Sequence, residues 1–111
     1  MLKISNNDVS LTRGDTARLT VPTYIIVGEE KQPYTVKEDD VLTLTVKKDY
    51  ADEVPLIEKK TTGSNMFHIK PEDTKELDFA TYKYDVQITT ADGDNYTIID
   101  DKKFKITNEV G

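Results

Sequence analysis

Apolar and polar side chains alternate along most of this chain with a period of two. The odd positions are apolar in Ala17-Arg18-Leu19-Thr20-Val21, and the even ones in Leu42-Thr43-Leu44-Thr45-Val46-Lys47. In Tyr82-Lys83-Tyr84-Asp85-Val86-Gln87-Ile88-Thr89, four apolar residues alternate with four polar ones without a break. A strand sends successive side chains to opposite faces, so each run offers one face to a core and one to water. On a helix the same four apolar residues would spread around the axis and leave no dry stripe.

The segments between these runs carry turn chemistry. Arg13-Gly14-Asp15 is expected to turn the chain between a short first strand near 9–12 and a strand over 16–21. Pro22 has no N–H for a ladder and belongs at a strand edge or a bend. Gly28-Glu29-Glu30-Lys31-Gln32-Pro33 and Lys37-Glu38-Asp39-Asp40 read as polar loops. Thr61-Thr62-Gly63-Ser64-Asn65 separates the runs at 56–60 and 66–70. Ala91-Asp92-Gly93-Asp94 reads as a hairpin turn, with Asp-Gly supplying positive φ angles. Beyond it Tyr96, Ile98, Phe104 and Ile106 share one parity, which predicts a final strand bent at Asp100-Asp101-Lys102.

One segment has a helical signature. Over 71–77, Pro71 suits a first turn and Glu72 and Asp73 suit the positive end of a helix. Tyr24-Ile25-Ile26-Val27 is apolar without alternation. It is either a continuation of the 16–21 strand buried on both faces or a patch that a partner covers, and its continuity with Val21 favours the first. About seven strands with no long helix predict an all-β fold, an antiparallel β-sandwich, with one short helical turn near 71–77. A single domain over 1–111 is expected at this length.

Composition narrows the chemistry. The chain has no Cys, no Trp and one His, and 21 acidic against 15 basic residues give a net charge of -6. Without cysteine there is no disulfide, thiolate metal site or cysteine nucleophile. The sheets must then hold by packing, through a predicted core of Leu19, Val21, Leu42, Leu44, Val46, Phe67, Ile69, Tyr82, Tyr84, Val86, Ile88 and Phe104. The excess of acids repels a polyanion, so nucleic acid is not an expected partner. Tyr24-Ile25-Ile26-Val27 is the longest apolar run, far short of the ~20 residues a membrane span needs. Residues 1–8 lack the apolar core of a secretory signal, and a cytoplasmic origin is expected.

Asp78-Phe79-Ala80-Thr81-Tyr82-Lys83-Tyr84 resembles the corner D-x-A/G-x-Y-x-C of immunoglobulin-like sandwiches. The resemblance implies that Asp78, Ala80 and Tyr82 form a structural corner. Tyr82 would tuck its ring inside and bond its hydroxyl to upstream backbone. Tyr84 stands where antibody domains have their second Cys, so the resemblance extends to the sandwich and not to the antibody disulfide. A second resemblance rests on Gly14-Asp15-Thr16, on Ala80-Thr81-Tyr82-Lys83-Tyr84-Asp85-Val86, and on Lys103-Phe104-Lys105-Ile106. In order and spacing these look like small immunoglobulin-like proteins of Gram-positive phages and prophages. They are similar to the N-terminal domain of baseplate upper proteins. Two departures are the lack of an L-T-G turn before Val41 and of the long C-terminal extension of a baseplate protein.

Other motifs have plainer readings. Arg13-Gly14-Asp15 spells the integrin tripeptide but is explained as a turn. Asp92-Gly93-Asp94-Asn95 and Asp100-Asp101 have calcium-type oxygens, without the ligand spacing or distal Glu of an EF-hand. His68 falls on the outer parity of its strand, with no second His or Cys to share a metal. No phosphate-binding glycine motif is present, and no carboxylate pair is singled out for hydrolysis. Catalytic residues, cofactor and metal are therefore all expected to be none, and the chain is not expected to be an enzyme. Tyr24, Ile25, Tyr34 and Tyr50 are the candidates for a contact surface. The resemblance implies a structural module of a phage or prophage particle, tail or baseplate associated. It would be cytoplasmic during assembly and virion-associated afterwards. Its partners would be other phage structural proteins or further copies of itself. A bacterial surface adhesion module binding protein or carbohydrate is the alternative.

Overall fold

A computed structural model describes residues 2–49 and 54–108, with the side chains of 25–27 outside that description. The chain forms β1 (Leu2–Ser5), β2 (Asp8–Thr12), β3 (Ala17–Thr20), β4 (Tyr24–Val27) and β5 (Glu30–Pro33). Then follow β6 (Val41–Lys47), β7 (Ile57–Thr62), β8 (Met66–Ile69), α1 (Pro71–Thr74), β9 (Ala80–Thr89) and β10 (Asn95–Thr107). One sheet has the order β1-β2-β10-β9-β6-β7; β3 pairs with β8, and β4 with β5. The two sheets β1-β2-β10-β9-β6-β7 and β3-β8 enclose one apolar cluster, as expected of an all-β immunoglobulin-like sandwich.

All twelve residues of the predicted core are buried. Alternation explains why: β6 and β9 lie in register, Leu42 opposite Ile88, Leu44 opposite Val86 and Val46 opposite Tyr84. Every second residue of both strands then faces the β3–β8 pair, which contributes Leu19, Phe67 and Ile69. Tyr84 lies edge-on to Phe104, with ring centroids 5.8 Å apart. Two interactions join α1 to its surroundings. The Gly14 N–H donates to the fully buried Thr74 Oγ1 at 2.9 Å. Lys59, on β7, pairs with Asp73 at 2.7 Å.

The strand count and one pairing differ from expectation. Ten strands are present among the described residues rather than about seven, and β2 runs parallel to β10 in a sheet otherwise antiparallel. The first additional strand is β1, paired with β2 through Asn6 and Asn7, both at positive φ (50° and 66°). Asparagine tolerates that region, which a two-residue hairpin turn requires. The second difference is at 30–33, where a strand replaces the expected loop: β5 pairs with β4 as a separate ribbon. The segment over 24–27 therefore does not continue β3; the chain breaks at Pro22, which cannot extend a ladder.

The final strand is bent as expected, but its parity changes. Register shifts at 97–99 and 99–102, with Asp101 at φ 52°, place Ile99 opposite Val86. Ile98 and Ile99 are both buried, and Tyr96 is 38% exposed. A bulge adds a residue to one strand only, so alternation cannot be carried across it. The helical turn is shorter than 71–77, ending at Thr74 with the Lys75 N–H on the Pro71 carbonyl. At its start the Asp73 carboxylate accepts from the Lys70 N–H at 2.8 Å. The Asp-Gly hairpin is closed by Gly93 N–H to Thr90 O at 2.9 Å, and only Gly93 has positive φ.

Candidate functional site

The corner heptad occupies the entry to β9. The Tyr82 hydroxyl donates to the Asp78 carbonyl at 2.8 Å while its ring is buried, and Ala80 is exposed as the first residue of the strand. Burial, reinforced by the Asp78 charge, pushes the Tyr82 pKa above its ordinary value. Phe79 lies 47% exposed, with the Arg13 guanidinium 4.1 Å from its ring centre. Arg13 also reaches the Leu77 carbonyl at 3.4 Å. The tripeptide at 13–15 is thus built into this end of the sandwich. Its backbone is engaged as well, with Arg13 N–H on Thr107 O and Asp15 N–H on Thr12 O.

Of the four contact candidates, Tyr24 lies on the β4–β5 ribbon and Tyr34 directly after it, in different surroundings. Tyr24 pairs across the ribbon with Pro33, and the Lys31 ammonium stands 4.1 Å from its ring centre. Tyr34 is half-buried against the core, and its hydroxyl donates to Asp40 Oδ2 at 2.6 Å. Ile25 pairs with Gln32 by its backbone, and its side chain lies outside the described residues, as does Tyr50 altogether.

Asp40, which sequence reasoning placed in a loop and singled out for nothing, is the most enclosed carboxylate among the described residues. Burial raises its pKa, but the Tyr34 hydroxyl, the Lys37 N–H at 2.8 Å and the Lys37 charge outweigh that. The net pKa lies below the ordinary 3.8. The same hydrogen bond, with burial and the carboxylate charge, pushes Tyr34 up to about 12. The Gly63 N–H donates to the Asp40 carbonyl at 2.8 Å, so this cluster joins the loop before β6 to the turn after β7. Around it, Glu38, Asp39, Asp92 and Asp94 line an open acidic cleft with Tyr96.

At the opposite end of β9 and β10, the outer sheet face carries a second cleft with Lys3, Lys103 and Lys105 around Ser10 and Thr81. No alternation of apolar residues marks it, because lysines on an outer face satisfy the strand pattern like any polar residue. Only the register between β1, β2, β10 and β9 brings them together. Among the described residues no group of His, Cys, Asp or Glu is arranged to hold a metal ion. No helix among them is long and apolar enough to cross a membrane. His68 is exposed opposite Arg18. Compared with known proteins, the chain matches no family model, no curated protein and no solved structure.

Proposed function

We propose that this chain is a non-enzymatic structural module of a phage or prophage particle, tail or baseplate associated, that works through protein–protein contacts. The observation that carries the reading is the order of three short motifs, at 14–16, 80–86 and 103–106, along a chain that folds as an all-β sandwich. Those motifs frame the same sheet. Gly14 follows β2, residues 80–86 are the first seven of the ten residues of β9, and within 103–106 residues 104–106 are the part of β10 held between β2 and β9. Sheet edges at β1 and β7 and charged clefts at both ends of the long strands offer docking surfaces. Partners are other proteins of the particle, and the chain passes from the cytoplasm into the virion during assembly.

Mass spectrometry of purified particles from the strain carrying this gene tests the reading. A fixed copy number relative to the major tail proteins is expected. Absence from particles, or recovery only at the cell surface, would overturn it.

A further inference from the structure

We propose that copies of this chain associate head to tail, the acidic tip of the β9–β10 hairpin of one copy seating in the lysine-lined cleft of the next. The inference rests on the reading as an assembly module and names a partner for it, a second copy. The cleft comes from register. Lys3 and Lys105 both lie opposite Ser10, and Lys105 lies opposite Thr81, so four neighbouring strands place them in one row on the outer face. Lys103 stands two residues along β10, on the same face. The three lysines are exposed, and none forms an ion pair among the described residues. Asp8 is the single carboxylate lining the cleft, and its Oδ1 accepts from the Lys103 N–H at 2.9 Å. Ile4, 48% exposed, supplies an apolar lip to a space of about 540 Å³.

The occupant is a compact acidic turn. Thr90 and Asp94, and Thr90 and Gly93, are joined by backbone hydrogen bonds, leaving Asp92 and Asp94 exposed. Glu38 and Asp39 stand beside them on the same end. This tip cannot reach its own molecule's lysines. Nine residue steps along β9 and just past its end separate Thr81, at the cleft, from Thr90, at the tip, a distance of about 30 Å at the usual rise per residue. Attraction between the two sites must therefore act between copies. Because they are different surfaces, the contact is heterologous and leaves a free tip and a free cleft at the two ends of each pair. Beyond the cleft the same outer face is mixed in sign, Asp85 and Glu58 standing among Lys47, Lys60 and Lys83, and the acidic turn is the compact anion that the molecule itself supplies.

Sedimentation velocity and light scattering on the 12.6 kDa chain test the proposal. At low salt the mass should rise with concentration, and high salt should return it to the monomer. The pairs Lys103→Gln/Lys105→Gln and Asp92→Asn/Asp94→Asn should each be monomeric, with wild-type circular dichroism. Their equimolar mixture should give a species of twice the monomer mass that grows no further, because one good cleft and one good tip remain between them. A monomer at all salts would overturn the proposal, as would association that survives either pair. A folded mixture without the heterodimer would also overturn it, as would a monomer whose cleft takes up inorganic polyphosphate. A monomeric chain still present in purified particles removes only self-association; absence from the particles removes the assembly reading itself.

Discussion

Tyr82 and Tyr34 show how a single hydroxyl can fix a segment that packing leaves loose. Tyr82→Phe keeps the buried ring and deletes the bond to the Asp78 carbonyl. Stability should fall by about 1 kcal/mol, read as a lower denaturant midpoint with unchanged slope. Asp40 makes a pH-dependent contribution whose sign follows from its lowered pKa. The folded state holds the carboxylate ionised more strongly than the unfolded chain does. The gain is therefore present above the unfolded value near 3.8 and is lost as pH falls through the folded pKa. The stability advantage of wild type over Asp40→Asn should be level near neutrality and shrink in acid, measured by urea melts across pH. At high pH the sign reverses for tyrosine. Tyr34 and Tyr84 are both pushed up to about 12, Tyr34 mainly by its bond to Asp40 and Tyr84 mainly by burial. The stability that depends on their neutral forms is complete below 10.0 and disappears as pH rises towards 12. In Asp40→Asn, absorbance titration should show one tyrosine leaving the high-pH set.

The elements divide into those with one dry face and those without. β6, β8 and β9 each set alternate residues into the core, so the sequence alone located them and their buried side chains. β5 is exposed at every position, and nothing in its polar composition distinguishes a wet strand from a loop. The β1–β2 hairpin does carry a signal, Asn6-Asn7 between alternating Leu2, Ile4, Val9 and Leu11, but a stretch this short and polar reads equally as an unstructured N-terminal segment. Asn6→Val places a β-branched residue at φ 50° and should cost about 1–2 kcal/mol in a thermal or denaturant melt. The bond from the Tyr84 hydroxyl to the Asn7 carbonyl ties that turn to β9, so the loss should propagate beyond the hairpin. The acidic and basic clefts were invisible for a different reason. Each is assembled from residues far apart in sequence, and only pairing register relates them.

The whole molecule holds two sheets together without a disulfide. Phe104 and Leu42 are fully enclosed at the centre, and Phe104→Ala should cost about 3–5 kcal/mol in equilibrium unfolding. The Lys59–Asp73 pair and the Gly14–Thr74 bond join α1 to β7 and to the turn after β2. The parallel pairing of β2 with β10 has a consequence for the order of folding. During synthesis, β1 and β2 emerge before the other described strands, yet their place in the sheet is beside β10, the last strand described. Until Thr107 has left the ribosome, the β1–β2 hairpin has no neighbour and β9 has one open edge. The protein therefore completes its larger sheet in a single late event that brings together residues almost a full chain length apart. Such distant closure slows folding and prolongs the exposure of β-edges. Chains arrested before Asn95 should remain sensitive to protease, and protection should appear abruptly once the whole of β10 is available.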